Sequence, residues 1–176
     1  MKIIIVTGTP GTGKTLLSRK LASKLNFHYI DVNKIIKKCN LVESYDKKRK
    51  TNVVDIKKLN KALIKEIANK KHPKKNKSPK NKKIKNGIVI DSHLSHYLPK
   101  KYADLCIVTK CDLKVLQKRL KRRKYSKEKI RENLDAEIFD VCLNEAMERK
   151  HKMLVLDMTK GVGIGKVYNK INPIIK

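Results

Sequence analysis

Long apolar runs are missing from this 176-residue chain: none exceeds four residues, as in Ile3 to Val6. A helix that crosses a bilayer needs about 20, so a membrane span is excluded and a soluble, cytoplasmic protein is expected. The chain runs from Met1 straight into a strand-like segment, without the apolar stretch of a signal peptide. Cysteine is also sparse. Cys39, Cys106, Cys111 and Cys142 form no C-x-x-C pair and no zinc-ligand spacing. Three of them sit among apolar neighbours, as small core residues do. Acidic residues are scarce too, with 16 against 45 basic ones and a net charge of +29. That balance suits polyanionic partners, nucleic acid first. The excess is mostly lysine, 38 Lys to 7 Arg, which AT-rich coding or a hot habitat also produces.

Hydrophobic residues still make up 40% of the chain, enough for a core, and the length fits one domain over 1–176. Lys2 to Thr7 is a short β-branched run before a glycine, the pattern of a buried parallel strand. Lys14 to Leu25 carries Leu17, Leu21 and Leu25 on one helical stripe, and Phe27 to Asp31 reads as a second strand. Residues 31–52 read as weakly helical, polar and interrupted. Val53 to Asn69 places Ile56, Leu59, Leu63 and Ile67 at helical spacing, with Asp55 in the first turn. Residues 70–85 hold nine Lys and two Pro and read as a lysine-rich surface insertion, either a tolerated loop or a nucleic-acid arm. Without them the charge is still about +20.

Ile88 to Ile90 before Asp91, Leu105 to Val108 before Thr109, and Met153 to Met158 complete five expected strands. A basic helix is predicted from Asp112 to Lys124. A longer helix is predicted from Ser126 to Lys150, with Ile130, Leu134, Ile138, Val141 or Cys142, and Ala146 facing inward. Val162 to Ile175 closes the chain as a helix with Pro173 near its end. Strands alternating with helices predict an α/β fold with a five-stranded parallel sheet covered by helices on both faces.

Gly8-Thr9-Pro10-Gly11-Thr12-Gly13-Lys14-Thr15 is a complete G-x-x-x-x-G-K-[ST] loop between a strand and a helix. Its backbone N–H groups turn inward onto phosphate oxygens, Lys14 reaches the β- and γ-phosphates, and the Thr15 hydroxyl serves Mg²⁺. Asp91, ending a strand, fits as the second magnesium carboxylate, with a capping role as the bland alternative. His93, two residues on, would point into the phosphate pocket and position the attacking group. Arg119, Arg122 and Arg123 cluster on the basic helix, where guanidinium groups suit the spread charge of phosphoryl transfer; a solvated basic face is the alternative. Thr109-Lys110-Cys111-Asp112 matches a guanine-reading motif. However, Asp91-Ser92-His93-Leu94 lacks the glycine a GTPase needs there.

These segments resemble the adenylate kinase isoenzyme 6 family of P-loop kinases, found in archaea and eukaryotes. The likeness rests on G-T-P-G-T-G-K-T at 8–15, L-A-S-K-L at 21–25, Y-I-D-V at 29–32 and V-V-D at 53–55. It continues through V-I-D-S-H at 89–93, C-D at 111–112, R-L and R-x-Y at 119–125, and E-N-x-x-A-E-I-F-x-V at 132–141. The resemblance implies an adenylate-kinase-like P-loop fold with a monophosphate-binding insertion at 31–54 and a short lid at 122–132. It implies ATP held by Gly11, Gly13, Lys14, Thr15, Leu16 and Arg123, with Lys14, Asp91, His93 and Arg123 catalytic and Mg²⁺ on Thr15 and Asp91.

The family's activity would be a broad-specificity nucleoside monophosphate kinase, phosphorylating AMP and other monophosphates from ATP, with an added ATPase activity. The implied setting is late maturation of the small ribosomal subunit and its 16S-type RNA, with a platform ribosomal protein as partner. The alternative within the resemblance is an ATP-driven assembly factor that binds and releases that protein, kinase turnover being secondary. Three positions depart from the family pattern: Lys124 stands where Gly is frequent, and Lys110 and Lys37 stand where Arg occurs.

Overall fold

The computed structural model describes residues 1–47, 51–72 and 86–175. β1 (Lys2–Thr7) is the middle strand of a five-stranded sheet. On one side of β1 lie β5 (Gly87–Asp91) and then β2 (His28–Asp31); on the other lie β6 (Leu105–Lys110) and then β7 (Met153–Asp157). Every pairing in this sheet is parallel, and Ile5 stands opposite both Ile90 and Cys106. Each crossover therefore has to pass over a face of the sheet, which explains why helices cover both.

Alternation along the strands divides the core. Ile3, Ile5, Ile88, Ile90 and Cys106 point to one face and meet Leu59, Leu63 and Ile67 of α3 (Ile56–Lys71). Ile4, Val6, Val89, Leu105 and Ile107 point to the other. There they meet Leu17 and Leu21 of α1 (Lys14–Leu25) and Val167 and Ile171 of α7 (Ile164–Ile175). A third cluster joins Cys111 to Leu116 and Leu120 of α4 (Leu113–Arg122) and Ile130 of α5 (Lys127–Ile138). All four cysteines are free thiols, with Cys106 and Cys111 buried and Cys39 exposed.

Two expectations need correction. Residues 31–52 are not an interrupted helix throughout. A short α2 (Val32–Lys38), capped by Asp31, is followed by an antiparallel hairpin of β3 (Val42–Asp46) and β4 (Thr51–Val54). Most of the hairpin's side chains are exposed on both faces. The alternating apolar signal that marks a half-buried strand is therefore missing. Residues 126–150 form two helices, because α5 ends at Ile138 and α6 (Val141–Glu148) begins after Asp140, whose φ is +53°. Ile138 faces solvent there instead of the core, and of Val141 and Cys142 it is Cys142 that is partly buried. Lys110 stabilises the break by donating to the Glu137 carbonyl at 2.8 Å, a group at a helix end that needs a new partner.

Asp55 lies before the first turn of α3 rather than in it, accepting from the Lys57 and Lys58 amides at 2.7 and 3.1 Å. In the lysine-rich segment, Lys70 and Lys71 close α3, and residues 73–85 lie outside the described residues. Among the described residues no helix is long and apolar enough to cross a membrane.

Candidate active site

The sheet order sets the site. Asp91 stands opposite Val6 in the register of β1 and β5, so the loop leaving β1 and the carboxylate ending β5 open into one crevice at the strands' carboxyl ends. That crevice is a cleft of about 620 Å³. Gly11, Gly13, Lys14, Thr15, Leu16, Asp91, His93 and Arg123 all line it.

The loop's shape depends on its glycines. Gly8 has φ +135°, and a Cβ there would sit 2.4 Å from the Thr109 carbonyl oxygen. Gly11 has φ +101°, and a Cβ there would meet Leu116 of α4 at 2.7 Å. Thr12 is buried and ties the loop to β6, with its Oγ1 2.6 Å from Thr109 Oγ1 and donating to the Thr9 carbonyl at 2.9 Å. Lys14 Nζ donates to the same carbonyl at 2.9 Å. Burial lowers the Lys14 ammonium to about 8, with the nearby Asp91 carboxylate pulling weakly the other way. A phosphate entering the cleft would pull it back up by favouring the charged form.

Asp91 is buried, and the Tyr29 hydroxyl of β2 donates to its Oδ2 at 2.9 Å. Arg19 lies 5.6 Å above the Tyr29 ring. Burial and the Asp91 charge together push the Tyr29 phenol up to about 12, so it remains a donor. His93 presents its accessible surface to the cleft. Enclosure by protein, then the Lys14 charge, lowers its imidazole to about 4, leaving it neutral at pH 7.

Of the three clustered arginines, only Arg123 lines the cleft. Arg119 is spent on the backbone, donating to the Met158 and Thr159 carbonyls at 2.9 and 3.0 Å and approaching the Thr12 carbonyl at 3.4 Å. It ties α4 and the phosphate loop to the end of β7. The T-K-C-D segment is likewise structural. Thr109 bonds Thr12, Lys110 pairs with Glu137 and Asp140, and Asp112 caps α4 through the Val115 amide. Lys124 has φ +57°, a conformation that favours glycine, so a lysine here carries local backbone strain.

Several residues of the cleft wall were not singled out by the sequence reading. Asn33, Thr51 and Asn52 come from the 31–54 segment, Lys129 from α5 and Glu145 from α6. No contiguous motif carries them; the topology brings them together. As to a metal, no three His, Cys, Asp or Glu side chains cluster into a cage among the described residues. Thr15 and Asp91 are the oxygen donors that the start of α1 and the end of β5 bring to the cleft. This donor set fits Mg²⁺, which typically takes one or two protein oxygens and completes its shell with phosphate and water.

Comparison with known proteins agrees with this geometry. A family model described as an AAA domain matches residues 4–140. A Dictyostelium discoideum protein named adenylate kinase isoenzyme 6 homolog is 32% identical over 155 residues, covering 88% of this chain and 79% of its own length. The Caenorhabditis elegans protein of the same name is 34% identical over 155 residues, covering 88% and 78%. Among solved structures, shikimate kinase from Acinetobacter baumannii in complex with shikimate superposes with a TM-score of 0.59 at 14% identity, covering 99% of this chain and 93% of that one. The last likeness shows the P-loop kinase fold alone. With a phosphate loop, a strand-end carboxylate and a cleft arginine on that fold, the molecule is an adenylate-kinase-like nucleotide kinase, and it belongs to the adenylate kinase isoenzyme 6 family.

Proposed function

We propose that the chain transfers the γ-phosphoryl group of Mg²⁺·ATP to a nucleoside monophosphate, AMP among a broad set, and hydrolyses ATP when water takes the acceptor's place. The observation that carries this reading is that one cleft is lined both by the phosphate loop and by Asn33, Thr51 and Asn52 of the 31–54 segment. That gives the donor one wall and the acceptor another. The loop amides around Gly11 and Gly13 hold the donor phosphates next to Leu16, and Lys14 neutralises charge on the transferring group. Thr15 and Asp91 would hold Mg²⁺, which when bound draws charge off the phosphate oxygens. Tyr29 keeps the Asp91 carboxylate oriented. Arg123, in the 122–132 segment acting as a lid, adds its planar cation to the same group and helps exclude water. Neutral His93 offers a lone pair to the attacking group.

A monophosphate acceptor brings its own anionic nucleophile, whereas water has to be oriented. His93→Ala is therefore expected to lower phosphate release from ATP alone on the order of 10²-fold while sparing most ADP formation with AMP. A panel of monophosphates, with ADP and free phosphate followed separately, checks this. An equal fall in both reactions would argue against a water-specific role.

The net charge of +29 favours a second use of the same nucleotide cycle, in assembly of the small ribosomal subunit, with its RNA and a platform ribosomal protein as partners. RNA affinity should then fall steeply and linearly on a log–log scale as salt rises, with a slope reporting several phosphate contacts. A flat response would remove the charge argument.

A further inference from the structure

Glu145 is poorly suited to a cleft that takes polyphosphate. It lines the wall together with Lys14, His93, Arg123 and Lys129, and its side chain is 31% exposed. A carboxylate there repels the phosphates of donor and acceptor alike. It is nonetheless firmly held, with the Tyr97 hydroxyl donating to Oε1 at 2.7 Å and His96 Nε2 lying 2.8 Å from Oε2.

The two holding residues are themselves fixed. Thr7, the last residue of β1, contacts His96 Nδ1 at 2.7 Å, and the His96 carbonyl meets His151 Nε2 at 2.9 Å. Asn60 of α3 donates to the Tyr97 carbonyl at 2.8 Å, and the Arg149 guanidinium lies 4.1 Å over the Tyr97 ring. Burial pushes the His96 imidazole well below its ordinary value. As a neutral ring it accepts the Thr7 proton at Nδ1, which puts the ring proton on Nε2, close to Glu145 but not aligned as a hydrogen bond to it. Tyr97 thus fixes Oε1, and the carboxylate keeps accepting capacity toward the cleft.

We propose that Glu145 is the proton acceptor for the attacking water in ATP hydrolysis. This rests on the reading that the cleft serves ATP with either a monophosphate or water as acceptor, and it adds one residue to that reading. The water oxygen bonds to the γ-phosphorus, and the bond from that phosphorus to the bridging oxygen breaks, its electron pair leaving on ADP. One water proton passes to the Glu145 carboxylate and is returned to solvent as products leave. His93, within electrostatic reach of both Lys14 and Glu145, orients the same water. Only water needs this help. A monophosphate attacks through an oxygen already deprotonated, and Glu145 does nothing for it but repel.

The test is Glu145→Gln in the full chain, assayed with ATP alone and with ATP plus AMP. Phosphate release is expected to fall on the order of 10²-fold, while transfer to AMP stays within about threefold or rises. Glu145→Asp, which keeps the charge but withdraws it, should fall between Gln and wild type in hydrolysis. Circular dichroism melts establish that both variants are folded. A parallel loss of hydrolysis and transfer in folded Glu145→Gln would overturn the proposal, because it would mean that Glu145 merely shapes the cleft through Tyr97 and His96. Unchanged hydrolysis would overturn it as well. If wild type hydrolyses and transfers but the variants alter neither, only this inference fails; if wild type does neither, the functional reading itself fails.

Discussion

Lys14→Met is expected to abolish measurable turnover, a loss on the order of 10³-fold or more, and at the same time to make the nucleotide-free protein more stable. The two effects have one cause. Burial holds the Lys14 ammonium at about 8 against an ordinary 10.5. That difference corresponds to a burial cost of about 3 kcal/mol at neutral pH. Met removes the buried charge and one donor on the Thr9 carbonyl, which keeps the Thr12 hydroxyl, a loss of about 1 kcal/mol. The net gain should be about 2 kcal/mol, seen as a melting temperature higher by roughly 4–8 °C. Its sign with pH is fixed. The folded-state value lies below the unfolded one, so the penalty is fully present below about pH 8 and fades as pH rises toward 10.5. The advantage of Lys14→Met should shrink over that window. Melting curves from pH 7 to 10 would show this; a destabilised variant, or a gap that widens with pH, would contradict it.

Arg123→Ala is expected to lower the turnover rate of phosphate transfer by about 10³-fold or more while leaving the melting temperature nearly unchanged, since Arg123 is exposed at the cleft. Arg123→Lys should recover little, because an ammonium cannot bridge two phosphate oxygens as a guanidinium does. Arg119→Ala should behave in the opposite manner. Its guanidinium is committed to the Met158 and Thr159 carbonyls. Removing it should cost about 2–3 kcal/mol of stability. Steady-state kinetics and thermal melts on the same preparations distinguish the two. If Arg119→Ala left stability intact and Arg123→Ala left turnover intact, the assignment of the two arginines would be wrong.

The contrast between these arginines shows where the sequence could be read and where it could not. The phosphate loop was legible because its geometry is local: Gly8 and Gly11 need positive φ, Lys14 and Thr15 follow on the helix, and all lie within eight residues. Asp91 and His93 were legible as the end of an apolar strand. Arg119 and Arg123 are only four residues apart, yet what decides their use is the approach of the β7 end to α4, which no local pattern encodes. Glu145 and Asn33 were invisible for a similar reason, because separate connections, far apart in the chain, deliver them to one cleft. The antiparallel pair of β3 and β4 escaped notice because most of its side chains are exposed on both faces. The break at Asp140 escaped notice because Ile138 and Val141 keep helical spacing on either side of it while pointing outward.

The most direct measurement is the product balance of ATP turnover in the presence of AMP, with ADP and inorganic phosphate quantified separately and AMP consumption followed. Phosphate transfer predicts that ATP and AMP disappear together, in equal amounts, into ADP, with little inorganic phosphate. Consumption of ATP with matching release of inorganic phosphate and no loss of AMP would contradict a monophosphate kinase and leave the cleft as an ATPase.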